Sequence, residues 1–276
     1  MTRELVLAAQ TLWTTDDFVT RTAASAAAGF KAIGLRPVDY TRAQSAGHTG
    51  RDLRRILEEA ELEVVELSAL HGFTDRAGSE AEEDTLVRMA TELGGKYLMA
   101  TGEITDSLDR TAEQFGSLCD RVRPLGLRVA LEFTPWSTIP DAATAWEIVR
   151  RSGRGNGGVI VDAWHHFRGA RSESQLLAIP PDRVVALQVS DADEAVVGTL
   201  LDDTLHRRRL PGEGSFPLVD FFRTLEGNGV AAPISIEIIS DEIHGLPPAQ
   251  AARRAMEATQ ALLNEVDAGR GGGRDA

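Results

Sequence analysis

The chain has 276 residues, 42 % of them hydrophobic and 26 % charged, with a formal net charge of −13 and a pI near 5.0. This is an ordinary balance for a soluble globular fold, and the length suits one barrel-sized domain or two small ones. So acidic a surface repels phosphate backbones and anionic lipid, which argues against nucleic acid and membrane as partners.

The first apolar run, LVLAA (Leu5–Ala9), stops at Gln10. It is too short for a signal peptide or an anchor, and no later run approaches the roughly 18 apolar residues of a membrane span. Seven more short apolar runs follow: AIGLR, EVVELS, KYLMAT, RVALEF, GVIVD, VVALQVS and ISIEII. Helix-like segments separate them. TTDDFVTRTAASAAAGF carries capping Thr and Asp and a stop at Gly29, and GRDLRRILEEAEL sets Leu53, Ile56, Leu57 and Ala60 on one face. SEAEEDTLVRMATELGG, DSLDRTAEQFGSLCDRVRPLG, DAATAWEIVRRSG, PLVDFFRTLEGNG and PPAQAARRAMEATQALLNEV complete the series. The segment between Asp162 and Val184 is shorter and less clearly helical. Eight strand–helix units predict parallel strands joined by crossover helices, an α/β fold closed as a single (β/α)8 TIM barrel over residues 1–266. A doubly wound open sheet is the competitor, but the turn after its first strand is usually glycine-rich, and AQTLWTTDD has no glycine. The Gly-rich, charged residues 267–276 read as a disordered tail. The one cysteine, Cys119, permits neither an intrachain disulfide nor a thiolate metal cluster, and a reducing, cytoplasmic setting is the expectation.

Active sites of such barrels sit at the C-terminal ends of the strands. Side chains alternate along a strand, so in RVALEF the bulky Val129, Leu131 and Phe133 face the helices and Glu132 faces the axis. The same parity pairs Ile160 with Asp162, Ala186 with Gln188 (opposite Val185, Leu187 and Val189), and Ser235 with Glu237. Four successive strands thus bring Glu132, Asp162, Gln188 and Glu237 to one mouth. Three carboxylates in a poorly solvated place repel one another, and a divalent cation resolves the conflict. Oxygen donors suit Mn²⁺ or Mg²⁺ best, with Co²⁺ or Zn²⁺ as alternatives. Asp162 alone has an equally good local reading, as the cap of the next helix.

VIVDAWHHF resembles the strand-Asp-x-x-His pattern of the xylose-isomerase-like TIM barrels, a superfamily of sugar-phosphate isomerases and epimerases, and RRLPGEGSFPLVDFF resembles their Arg-x-x-Pro-Gly-x-Gly segment. In that superfamily a Glu, an Asp, usually a His and a final Glu hold one divalent metal. The resemblance implies that Glu132, Asp162 and Glu237 are ligands, that His165 binds substrate, and that Arg209, Gly212 and Gly214 belong to the site. The usual His-x-x-Asp of the seventh strand reads QVSD here, with Gln188 at the His position and Asp191 kept. A glutamine there resembles the 3-dehydroshikimate dehydratases. A trinuclear zinc site of the endonuclease IV kind needs many histidines, and this chain has six in all.

The resemblance makes Glu132 and Glu237 the acid–base pair of an isomerase or epimerase acting on a sugar-like α-hydroxycarbonyl compound. Expulsion of a β-hydroxyl would make it a dehydratase of a cyclic polyol ketone instead. A non-catalytic ligand-binding barrel is the third reading. Trp13, His71, Trp136 and Trp164 follow strands 1, 3, 5 and 6 and are candidates to cover substrate, each with packing under a loop as the plainer role. Arg209 is the candidate partner of a substrate anion, with Arg207 and Arg208 expected to face solvent. Homo-oligomers are compatible with such a barrel.

Overall fold

The computed structural model describes residues 3–15 and 17–269. Eight parallel strands pair in sequence order and close into a barrel: β1 (Leu5–Leu7), β2 (Ala32–Leu35), β3 (Glu63–His71), β4 (Tyr97–Thr101), β5 (Arg128–Glu132), β6 (Gly157–Asp162), β7 (Val184–Val189) and β8 (Ile234–Ile236). Closure is made by Leu5, Val6 and Leu7 opposite Ile234, Ser235 and Ile236. The chain is therefore the single (β/α)8 barrel that the alternation predicts.

Most strand residues are buried on both faces, because helices wrap the outside and side chains fill the inside. The interior layer is built around Val6, Ala32, Tyr97, Met99, Ala130, Ile160 and Ala186, and the larger cluster of Leu, Ile, Val and Phe lies between sheet and helices. Helices end where the sequence signals them. Asp17 and Asp141 accept from the amides of Thr20 and Thr144 to start helices Phe18–Ala27 and Ala142–Ser152. Three short helices carried too weak a period to be read in advance: Pro37–Ser45, Leu200–His206 and Asp241–His244.

Strict inward–outward alternation breaks in β7. Val185 was expected outside, yet it joins the interior layer beside Ala186. The β6–β7 register slips there, with Val159 opposite Val184 but Ile160 opposite Ala186. Gly158 leaves the room: a Cβ on it would lie 2.5 Å from the Val185 Cγ2. A similar slip in β3 sets Glu66 opposite Gly34. The last helix, Pro248–Ala268, runs into the stretch expected to be a tail, and residues 270–276 lie outside the described residues. No helix among the described residues is long and apolar enough to cross a membrane.

Candidate metal centre at the barrel mouth

The C-terminal ends of the strands open into a cavity of about 660 Å³. Glu132, at the end of β5, and Glu237, just past β8, both line it, and both are buried. Asp162 ends β6, 1 % exposed, beneath them. Its two oxygens divide the two roles that its position suggested. Oδ1 accepts from the Trp164 amide at 2.6 Å and so caps helix Ala163–Arg168, while Oδ2 turns to the site. There it lies 2.9 Å from an Arg208 guanidinium nitrogen and 3.6 Å from His165 Nε2.

His165 Nε2 also stands 3.3 Å from Glu132 Oε1. Glu132, Asp162 and His165 each offer a donor atom within 4.8 Å of the other two, and all three are buried. Gln188, the β7 member, is fully buried. Its Nε2 reaches the Met99 sulfur at 3.6 Å, and its Oε1 has no hydrogen-bond partner. An orphaned buried carbonyl oxygen is costly unless something else binds it. This donor set, carboxylate, amide oxygen and imidazole, fits a divalent cation.

Glu237 faces the same knot from β8. Its Oε2 is 3.0 Å from Arg208. Burial pushes the Glu237 carboxyl well above its ordinary value, and the nearby Asp162, Glu132 and Glu66 add to this against the pull of Arg208. Burial alone would raise Asp162 too, but Arg208 and His165 hold it below the ordinary carboxylate value. Beneath the site, buried Glu66 accepts from Tyr97 and Ser235 hydroxyls, each at 2.7 Å, and burial raises its carboxyl as well.

Arg208, expected to face solvent, is instead buried at the heart of the site. It is 2 % exposed, bonded to Asp162, Glu237, Ser190 and Thr204, and its guanidinium carbon sits 5.4 Å from the Trp164 ring centroid. Arg209, expected in the site, is 37 % exposed at its side chain, pairs with Asp193 and Glu242, and does not line the cavity. The signal was available: three residues before Pro211, counted along the Arg-x-x-Pro spacing, stands Arg208. The antiparallel bridge of Arg209 to Asp191 fixes this register and turns alternate side chains in and out. Asp191 itself is structural. Its carboxylate accepts from the amides of Gly212 and Phe216 and pins the PGEG turn. Gly212 has φ +85°, and a Cβ on Gly214 would fall 2.3 Å from the Asp191 Oδ1.

The aromatic candidates separate. Trp136 lies at the rim, 43 % exposed, and Trp13 lines the cavity with its ring stacked on His244. Trp164 is fully buried behind His165 and Arg208 and does not reach the cavity; it is packing, and its Nε1 has no hydrogen-bond partner. His71 is an exposed lining residue whose Nδ1 is 3.2 Å from Glu82.

A closed (β/α)8 barrel with buried carboxylates, an amide oxygen and an imidazole at its C-terminal mouth defines a class: barrels able to hold one divalent cation against a substrate cavity. The match to the xylose isomerase-like TIM barrel model, over residues 22–262, names the family, and the chain belongs to it. An inosose isomerase of Bacillus velezensis is 25 % identical over 252 residues, covering 86 % of this chain and 89 % of that protein. A 3-dehydroshikimate dehydratase of Pseudomonas aeruginosa is also 25 % identical, over 81 % of this chain, which spans only 36 % of that longer protein. Among solved structures, the IolI protein with a bound zinc atom superposes with a TM-score of 0.86 at 22 % identity, covering 95 % of this chain and 99 % of that one. An L-ribulose 3-epimerase superposes at 0.76 with 15 % identity, over all of both chains.

Proposed function

We propose that this protein is a divalent-metal-dependent isomerase or epimerase of a sugar-like α-hydroxyketone. The observation that carries the reading is the pair of buried carboxylates, Glu132 and Glu237, lining one cavity from the ends of the non-adjacent strands β5 and β8, with His165 against Glu132 and Arg208 against Glu237. Glu132, Asp162, Gln188 and Glu237 are the residues we assign to the cation, with His165 close enough to share it. Oxygen-rich donors favour Mn²⁺ or Mg²⁺; the zinc atom of the structurally similar IolI protein keeps Zn²⁺ among the candidates. Bound there, a divalent ion supplies Lewis acidity that polarises a carbonyl and acidifies the adjacent C–H.

The protein's own side chains then manage one proton. Glu132 takes it from the carbon beside the carbonyl. Glu237, on the other strand end, returns one to the other face or the neighbouring carbon. His165 and Arg208 hold the substrate oxygens and the carboxylates in place. Trp13 and Trp136 cover the bound ring, and His71 stands at the rim. A reducing, cytoplasmic setting suits the single buried thiol of Cys119.

A second reading, dehydration of a cyclic polyol ketone, is favoured by Gln188 on β7 and by the similarity to 3-dehydroshikimate dehydratase. One experiment separates them. Metal-loaded protein is incubated with an inosose or a ketohexose in D₂O and followed by proton NMR. Deuterium at the α-carbon with retention of all hydroxyls supports isomerisation or epimerisation; a new conjugated-enone absorbance supports dehydration. Either activity should fall at least ~1,000-fold in Glu132→Gln and in Glu237→Gln, as for loss of a proton-transfer group and its charge. Full turnover in both variants refutes the assignment.

A further inference from the structure

We propose that Thr11 is a positioning residue: its hydroxyl takes the place of a missing strand residue opposite Glu237 and so fixes where that carboxylate stands. This rests on the proposed function only in making Glu237 a metal ligand and proton carrier.

β8 keeps its two neighbours unequally. Through Ile236 it is laddered to both, with Leu5, Val6 and Leu7 of β1 opposite Ile234, Ser235 and Ile236, and Val189 of β7 opposite Ile236. At Glu237 the β7 side still holds, because the Glu237 amide donates to the Val189 carbonyl at 3.1 Å. The β1 side does not continue. The Ala8 amide donates to the Ile236 carbonyl at 3.2 Å, and the chain then turns into a short 3-10 helix, Ala9–Leu12, on its way to Trp13 at the cavity. With β1 gone, the buried Ile238 amide faces a gap where its acceptor should be, and an unpaired buried N–H is costly.

Thr11 fills that gap. It is fully buried, and its Oγ1 donates to the Ile236 carbonyl at 2.7 Å and accepts from the Ile238 amide at 2.9 Å. In a parallel ladder a residue bonds to the two neighbours of the one opposite it. One hydroxyl reproduces both bonds, and the residue between them is Glu237. Its two flanking peptide groups are thereby held, and with them the origin of the side chain that reaches Arg208 at 3.0 Å. The same contact ties the turn leading to Trp13 to the strand end carrying the carboxylate. Valine has nearly the shape of threonine but can make neither bond.

The test measures Mn²⁺ affinity of the full-length protein by equilibrium dialysis, and melting in EDTA, for Thr11→Val, Thr11→Ser and Thr259→Val. Thr259 is an equally buried threonine whose hydroxyl bonds Ala255 within the last helix, so its loss leaves β8 untouched. Thr11→Val should lose about 10–100-fold in Mn²⁺ affinity, as for groups that orient a metal ligand. Thr11→Ser, which keeps the hydroxyl, should stay near wild type, and so should Thr259→Val whatever its melting point. A double-mutant cycle gives a metal-free reading. In EDTA, Arg208→Met should lower the melting point less in Thr11→Val than in wild type, since a displaced Glu237 has a weaker bond to Arg208 to lose. Wild-type affinity in Thr11→Val, a loss in Thr11→Ser or Thr259→Val as large as in Thr11→Val, or additive melting losses in the cycle overturns the inference. Should Thr11→Val not fold, Thr11→Ala takes its place in every comparison. A wild type that binds no Mn²⁺ sinks the cation site alone, and the cycle in EDTA then decides the role of Thr11.

Discussion

Arg208→Met is the most informative single perturbation. The guanidinium sits between two buried carboxylates, 2.9 Å from Asp162 and 3.0 Å from Glu237, with Thr204 Oγ1 bonded at 2.9 Å on its other side. Removing one member of a buried ion pair leaves uncompensated charge and costs about 3–5 kcal/mol. Methionine keeps much of the side-chain volume over Trp164, so little of the loss comes from a cavity. For a chain of this size each kcal/mol moves the melting point by about 2–4 °C, so the EDTA-treated variant should melt about 6–20 °C below EDTA-treated wild type. The same reasoning fixes what a divalent ion does. In the variant the two carboxylates have lost their own cation, so the gain in melting temperature on adding Mn²⁺ or Zn²⁺ should exceed that of the wild type. Scanning calorimetry with and without metal, beside equilibrium dialysis for affinity, reads both quantities. Arg209→Met is the control, since its exposed pairs are worth at most ~1 kcal/mol. Equal melting points for the EDTA-treated wild type and Arg208→Met, or a metal-induced gain no larger in the variant, would refute the role given to this arginine.

Four further outcomes are expected. Gln188→Leu should lower divalent-metal affinity about 10–100-fold by dialysis, whereas Gln188→His, which restores a donor on β7, should hold it near wild type. His166 is packed against Phe167 and Phe221, and burial, with the nearby Arg171, lowers its pKa from 6.5 to about 4. The unfolded chain therefore takes the proton first, so this residue removes up to roughly 3 kcal/mol of stability as pH falls from 6.5 toward 4, and His166→Phe should flatten that limb of a urea-denaturation series. Burial pushes the Cys119 thiol up to about 12, so native protein should resist a thiol-titrating reagent at pH 8 and expose one thiol per chain in guanidinium. Gly214→Ala should cost about 1–3 kcal/mol and lower turnover, because a Cβ there collides with the Asp191 Oδ1 that pins the turn after Arg208; unchanged melting would show that the turn yields freely.

Much of this architecture was legible because the controlling signals are local. Alternating apolar runs and capped helices report the barrel directly, and two-residue periodicity places Glu132, Asp162 and Gln188 on the inner face beside Ala130, Ile160 and Ala186. What was lost depends on pairs that meet only in three dimensions. Val185 turned inward because Gly158, distant in sequence, left it space across a register slip. Glu66 is carried inward by the slip in β3, into room made by Gly34, whose Cβ would lie 2.7 Å from its Oε1. Neither neighbour can be identified from a single strand. Arg208 was mistaken for its neighbour for a different reason: in a run of three arginines, composition is silent about which one is buried, and only spacing from Pro211 or the bridge between Asp191 and Arg209 decides.

The charge arrangement also explains why the site tolerates so many buried acids. Glu66, Glu132, Asp162 and Glu237 all lie within the wall, and four unpaired anions would be prohibitive. Each is met differently. Glu66 takes two hydroxyl donors and is pushed toward its neutral form, Asp162 stays ionised against Arg208 and a helix amide, Glu132 faces His165, and Glu237 is raised by its surroundings. The two carboxyls that share Arg208, Asp162 and Glu237, are thus driven in opposite directions by their surroundings. The asymmetry arises from packing alone. Asp162 has Arg208, His165 and the Trp164 amide, whereas Glu237 shares that one arginine while Asp162, Glu132 and Glu66 oppose its ionisation.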